Sequence, residues 1–222
     1  MNYYAAADRL IQEVNRIGVR KFGELKGKDL DDLKAVMTVL ELYEYLLKIL
    51  RKKAYSVAFE AYVIMLMECG VESRKAHQMA EKAIDEGWID EILHTTDPVT
   101  LYRFDSETGR KADRLIEALA AFSGGDGRMP GTSAGGAVGR DLEIDRAMRN
   151  WSRAVGWFAI WLTDEASIQA MRDAGIERVR WNTVPDERRC HECRELDGRV
   201  FLIDELPPKP HRGCRCWWTP VR

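Results

Sequence analysis

The sequence has no apolar run of the roughly 20 residues that a transmembrane helix needs, because Glu, Lys or Arg interrupts every candidate. Neither sign of charge dominates either, since 34 Lys and Arg stand against 36 Asp and Glu for a formal net charge of −2. No overall cationic field therefore draws the chain to nucleic acid or to an anionic membrane. We expect a soluble protein without a membrane partner, in which any contact with DNA is local.

Two further motifs are missing. The glycine-rich segment 123–139 is not closed by Gly-Lys-Ser/Thr, so the sequence does not favour a phosphate-binding loop there. The residues after Met1 run directly into an amphipathic helix pattern without the apolar leader of a secreted protein. We therefore expect a reducing compartment, in which cysteines remain thiols.

Cysteine is scarce and unevenly placed. Four of the five cysteines in 222 residues fall within one short C-terminal segment, which favours metal ligands over disulfide bridges. The fifth, Cys69, lies alone in an apolar stretch and is predicted to be a core residue. The cysteines that are expected to bind a metal ion are therefore the C-terminal ones.

The C-terminal segment combines Cys-x-x-Cys with His-x-x-Cys-x-Cys. A Cys-x-x-Cys pair turns two sulfurs toward one point, and His-x-x-Cys supplies the opposing pair for tetrahedral Zn²⁺. The predicted metal ligands are Cys190, Cys193, His211, Cys214 and Cys216. If Cys214-Arg-Cys216 is extended, its two sulfurs point in opposite directions, so only one of them needs to bind the ion.

Four good ligands within reach predict a closed structural zinc site, because a catalytic zinc keeps one position open for water. Between the two ligand pairs, residues 194–203 are predicted to form a short hairpin that turns on Asp197-Gly198. This loop is too small to be held by packing alone. Zinc is therefore expected to hold it together.

Apolar spacing predicts a mainly α fold with a small α+β, zinc-stapled C-terminal region. Residues 1–122 are predicted to be a helical domain, 123–139 a Gly-rich linker or loop, and 140–222 a C-terminal domain with zinc knuckles at 190–216. Ala54, Ala58, Ala61 and Met65 lie on the apolar stripe of a long helix that is expected to begin at Asp29 and end at Gly70.

Three local boundaries are also predicted. Ser73 is expected to cap a short helix, and Thr163 or Asp164 to cap another that stops at Gly175. Residues 176–181 alternate as a half-buried strand does. Six of the seven tryptophans fall after position 150, so this end of the chain has large aromatic side chains that can fill a core or form an interface.

The pattern Trp181-x4-Asp-x3-Cys190-x2-Cys193-x2-Leu-x-Gly198-x2-Phe, followed by Pro-Pro208-x2-His-x2-Cys-Arg-Cys, resembles the C-terminal signature of phage minor head proteins of the Mu F-like, or SPP1-type, head morphogenesis family. The resemblance covers roughly 140–222. Besides the metal-type positions, it implies that Trp181, Gly198 and Pro208 set the shape of this region.

The resemblance implies a structural, non-enzymatic minor capsid protein that acts in head morphogenesis or head completion. Portal protein and major capsid protein are the implied partners, with packaged DNA as a further contact to test. Such a protein is expected to be oligomeric in the virion, in the phage head, and in the host cytoplasm during assembly.

Two other function classes stay open. An HNH-like metal-dependent nuclease also joins Cys-x-x-Cys knuckles to histidines, although only six residues follow Cys216 in this sequence and we expect that to leave no room for the helix that completes such a site. A zinc-dependent DNA-binding adaptor is the second alternative. Arginines surround the predicted zinc site, but nearby acidic residues offset much of their charge.

Overall fold

The structure is a computed structural model, and it describes residues 3–24, 52–91, 136–185, 189–211 and 213–222. Its helices are α1 (Ala5–Gly23), α2 (52–68), α3 (Ser73–Ala83), α4 (Glu86–Glu91), α5 (Gly136–Asp173) and α6 (His191–Leu196). Its strands are β1 (Arg178–Asn182), β2 (Val200–Leu202) and β3 (Trp217–Val221). The predicted mainly α fold with a small α+β C-terminal region is confirmed.

The chain divides into two compact units. The first comprises Met1–Leu10, Ala54–Ile92 and Gly156–Arg222, and the second comprises Ile11–Lys53 and Leu93–Val155. The first unit contains the sheet and all of the predicted metal ligands. In the second unit, Lys53 Nζ lies 3.1 Å from Glu13 Oε1. The predicted division at 122 and 140 stays a prediction.

The apolar stripe predicted for the helix that ends at Gly70 is present in α2. Ala54, Ala58, Ala61 and Met65 are all buried, at steps of three and four residues. Residues 25–51, with the predicted start at Asp29, lie outside the described part of the chain. Cys69 follows α2 directly and is only partly buried, so it is not a full core residue as predicted.

The N-cap of α3 lies one residue before the predicted Ser73. The Glu72 carboxylate accepts hydrogen bonds from the backbone N–H groups of Arg74 and Lys75, which makes Glu72 the N-cap of α3. A carboxylate at this position accepts hydrogen bonds from backbone N–H groups that have no partner within the helix. Its negative charge also interacts favourably with the positive end of the helix dipole. On α3, Ala76 and Ala80 are buried as predicted.

Helix α5 differs from the prediction at its start and at Thr163-Asp164. It begins at Gly136, so the last four residues of the glycine-rich segment are helical, and residues 123–135 lie outside the described part. It also continues through Thr163 and Asp164 instead of restarting there. Thr163 Oγ1 donates to the Ala159 carbonyl oxygen inside the helix, 2.9 Å away, which is compatible with an unbroken helix.

The predicted strand at 176–181 is confirmed by β1, the centre of a three-stranded antiparallel sheet in the order β2-β1-β3. Alternate residues of β1 are buried: Val179 and Trp181 face inward, whereas Arg178 and Arg180 are exposed. The Trp181 ring meets Trp218 of β3 edge to face, with 5.5 Å between ring centroids. These indoles form the inner layer of the sheet.

The hairpin predicted for 194–203 is wrong in its first half. Residues 191–196 form helix α6, and only the second half enters the sheet, as β2. The turn itself is where the sequence places it, because Gly198 adopts a φ of +75° and its N–H donates to the Trp181 carbonyl oxygen at 2.8 Å. Glycine fits this left-handed turn at little cost. Among the described helices, none combines the length and apolarity needed to cross a membrane.

Candidate metal centre

The first ligand pair lies at the start of α6. Cys190 is the N-cap, and its sulfur accepts the backbone N–H of Cys193 at 3.3 Å. This contact curls Cys-x-x-Cys so that Cys193 lies in the first helical turn, buried at 3% exposure. The local fold of the motif therefore presents both sulfurs to the same side, as the spacing predicts.

The second ligand pair lies in the tight loop that follows His211. The N–H of Cys214 donates to the His211 carbonyl oxygen at 3.3 Å, and between them Gly213 has a φ of +70°. A Cβ at Gly213 would lie 2.8 Å from the indole nitrogen of Trp157, closer than real side chains approach. Both the backbone conformation and the close packing on Trp157 therefore require glycine here.

Donor atoms from both pairs converge on Cys193. Within the described residues, Cys190, Cys193 and His211 form one group, and Cys193, Cys214 and Cys216 a second, with all donor atoms of a group within 4.8 Å of one another. The Cys193 sulfur lies 3.7 Å from His211 Nε2 and 3.6 Å from the Cys214 sulfur. Tetrahedral ligands at about 2.0–2.3 Å from a zinc ion are themselves about 3.3–3.8 Å apart. The donor types and their spacing fit a metal ion, so the cluster could hold one.

Cys214 and Cys216 do not point in opposite directions. Residues 214–216 lie outside any strand, and both cysteines are buried, at 1% and 3% exposure, with Arg215 exposed between them. The alternation of an extended chain, on which the prediction of a single inward sulfur rested, therefore does not apply. Both sulfurs reach the cluster.

The packed thiols shift one another's pKa values. A hydrogen bond from Cys216 lowers the pKa of Cys214 to about 5, whereas burial, reinforced by a hydrogen bond with Cys190, raises the pKa of Cys193 to about 12. The pKa of Cys216 is also raised, first by its hydrogen bond to Cys214 and then by burial, and the Trp181 side chain opposes that shift. The thiols of the cluster thus share protons through the hydrogen bonds between their sulfurs. A metal ion that binds to thiols displaces such protons.

Residues 145–219 match the family model Phage Mu protein F like protein. The predicted resemblance is confirmed for this part of the chain, and the match supports a phage head morphogenesis protein. No curated protein and no solved structure matches the chain. We call residues 145–219 the Mu F-like region; it contains the whole sheet except the last two residues of β3.

A buried polar cluster that the sequence does not predict supports the loop that carries His211, Cys214 and Cys216, which we call the metal loop. Lys209 Nζ lies 2.5 Å from Asp164 Oδ2 on α5 and donates to the Tyr4 hydroxyl at 2.6 Å. The Tyr4 hydroxyl in turn lies 2.6 Å from the carbonyl oxygen of Cys216. Burial raises the pKa of Asp164 to about 6, and the Lys209 ammonium opposes that shift. The cluster ties the metal loop to α5 and to the N-terminal residues.

The remaining polar residues near the metal ligands serve other contacts. His191 is exposed on α6, where its Nδ1 lies 3.7 Å from Glu195 Oε1, and it belongs to neither donor group. Arg189 donates to Asp197 Oδ2 at 3.0 Å, and Asp197 Oδ1 accepts the N–H of Thr183. These contacts fasten the Asp197-Gly198 turn to the end of β1.

Proposed function

We propose that this protein is a minor capsid protein of a phage head, which acts in head morphogenesis or head completion. It is structural, works in the host cytoplasm during assembly and remains in the virion as an oligomer. Portal protein and major capsid protein are its partners. The observation that carries the proposal is the family match over residues 145–219, which encloses the sheet core and every donor of the metal cluster.

The cluster is proposed to bind one structural Zn²⁺. Cys190, Cys193, His211 and Cys214 are the proposed ligands, because Cys193 lies at tetrahedral-edge distance from both His211 and Cys214. Cys216 then packs beside the ligand sulfurs as a hydrogen-bonding neighbour. Sulfur and imidazole together are the ligands that zinc prefers in closed sites.

The proposed role of the ion is to hold a docking surface in shape. Strands β2 and β3 have only three and five residues, and much of the chain between them is irregular. Structural zinc contributes apparent binding energies of about 10–16 kcal/mol in small peptides, which is enough to order a segment of this kind. The metal-held end then docks on a neighbouring head protein, while the helical remainder makes further assembly contacts.

The test is to assemble heads with the Cys190→Ser/Cys193→Ser variant. We expect the copy number of the variant in purified heads to fall at least about tenfold, because without two ligands the docking surface is not formed. Cys69→Ser is the matched control, since it removes a cysteine outside the cluster and should enter heads normally. Quantitative mass spectrometry of the heads gives the copy number.

Entry of the double variant at the wild-type copy number would contradict the proposed role of the metal. The two alternative classes predict different results with the purified wild-type protein. An HNH-like nuclease would cut plasmid DNA with Mg²⁺ or Mn²⁺, and cutting lost on His191→Ala would overturn the structural proposal. A zinc-dependent DNA-binding adaptor would bind duplex DNA with a steep salt dependence and would not bind portal protein.

A further inference from the structure

One face of the sheet is exposed at Arg178, Arg180, Val200 and Leu202 in the described part of the chain. Pairing places eight side chains on it, at the alternate positions that point away from the buried indoles: Arg178, Arg180, Asn182, Val200, Leu202, Trp217, Thr219 and Val221. We call this set the outer face. Leu202 and Val221 lie on either side of Arg178, and Val200 and Thr219 lie on either side of Arg180.

One edge of the outer face, strand β2, exposes two apolar side chains. Val200 is 44% exposed and Leu202 is 43% exposed. They account for two of the five large apolar side chains that are exposed within the described residues, and both lie on a strand of three residues. Scattered apolar residues on a surface are ordinary, but a cluster of them marks an interaction site.

The centre of the outer face carries two arginines and, among its eight positions, no acidic residue. Arg178 and Arg180 are both exposed, and neither makes an ion pair with any described residue. None of the eight outward positions carries an acidic residue. Because the whole chain has a net charge of −2, this local excess of arginine does not follow from a basic composition. The face is complementary to an acidic partner.

The size of the outer face limits what can occupy it. Three strands about 4.8 Å apart, with up to five residues at about 3.3 Å each, give a face roughly 10–15 Å wide and about 15 Å long. An α-helix with its side chains is about 10–12 Å wide. The face thus accommodates one helix and is far smaller than the roughly 800 Å² that each partner contributes to a standard interface.

We propose that the outer face binds one acidic amphipathic helix of another head protein. Glutamate or aspartate side chains of that helix pair with Arg178 and Arg180, while its apolar side chains cover Val200 and Leu202. Arginine suits this role because its planar group binds a carboxylate through two parallel hydrogen bonds. A protein fits better than DNA, because a phosphate backbone offers nothing apolar to cover the two exposed aliphatic side chains. This inference rests on the proposed function and names the chemistry of the partner.

The experiment places a photo-crosslinker, p-benzoylphenylalanine, at Leu202 of the full chain in assembled heads. Met67 is the matched control position, since it is 45% exposed and lies on α2, not on the outer face. We expect illumination to join position 202 to one peptide of another head protein, with acidic residues at helical spacing. Position 67 should give no such product.

Charge reversal then tests the arginines. Arg178→Glu/Arg180→Glu should reduce the crosslink at least about fivefold, because like charges would face each other across the interface. Arg74→Glu/Lys75→Glu changes the charge by the same amount at exposed positions of α3 and should leave the crosslink unchanged. Thermal unfolding of both variants checks that the fold is intact.

Three results would overturn the inference while the protein is present in heads: no protein crosslink at 202, a crosslink to DNA alone, or a protein crosslink that survives charge reversal. If instead the wild-type protein is missing from purified heads, the proposed function fails first and this inference falls with it. Counting copies in the same heads separates the two cases.

Discussion

Cys193→Ser is expected to abolish metal binding and to unfold the C-terminal sheet. Cys193 is the one cysteine that belongs to both donor groups, and it is almost fully buried. Serine would put a weak ligand at the centre of the cluster. Loss of even about 4 kcal/mol of the metal's contribution lowers Tm by roughly 8–16 °C in a chain of this size. Calorimetry together with the metal content of the purified variant measures both effects.

Cys69→Ser provides the comparison for that measurement. Cys69 is half-buried and burial raises the pKa of its thiol to about 11, but it lies outside both donor groups. Its replacement should leave the metal content unchanged and lower Tm by only a few degrees. If Cys193→Ser and Cys69→Ser behave alike, the C-terminal cluster is not held together by metal.

Lys209→Met is expected to destabilise the protein by about 3–5 kcal/mol, because it leaves a buried carboxylate without its charged partner. The side chains of Lys209 and Asp164 are 14% and 6% exposed, so solvent cannot replace the lost contact. Lys209 Nζ also lies 4.9 Å from the centre of the Trp218 ring, a cation–π contact that methionine cannot make. Urea unfolding with a fixed m-value gives the change in free energy.

The pair Arg172–Asp204 is the matched control. Arg172 Nη2 lies 3.1 Å from Asp204 Oδ1, but the two side chains are 46% and 80% exposed. Arg172→Met should therefore cost less than about 1 kcal/mol. In Lys209→Met/Asp164→Leu the uncompensated carboxylate is gone, and part of the stability lost in Lys209→Met should return. Equal losses in Lys209→Met and Arg172→Met would show that the buried pair does not stabilise the metal loop.

Local spacing was sufficient to predict much of this structure. The alternation at 176–181 gave a strand, and the three- and four-residue steps through Ala54 and Met65 gave a buried helix face, because such periodicities report directly which side of an element is buried. The Cys-x-x-Cys and His-x-x-Cys spacings predicted that these donor atoms lie close together, since each pair lies within a single turn of chain.

Features that depend on distant residues could not be predicted in this way. Asp164 was interpreted as a helix cap because acidic residues favour that position, but its partners Lys209 and Tyr4 come from remote parts of the chain. The inward turn of both Cys214 and Cys216 depends on the irregular path of the loop around Gly213, which no alternating pattern describes. In both cases contacts between residues that are distant in sequence determine the position of the side chain, which local helix and strand propensities do not specify.

The most direct test of the account is the metal content of freshly purified wild-type protein, measured by elemental analysis and paired with thermal unfolding before and after chelation. We expect about one zinc ion per chain, and a large fall in Tm when a chelator removes it. A preparation without stoichiometric metal, with the same Tm in the presence and absence of chelator, would contradict it.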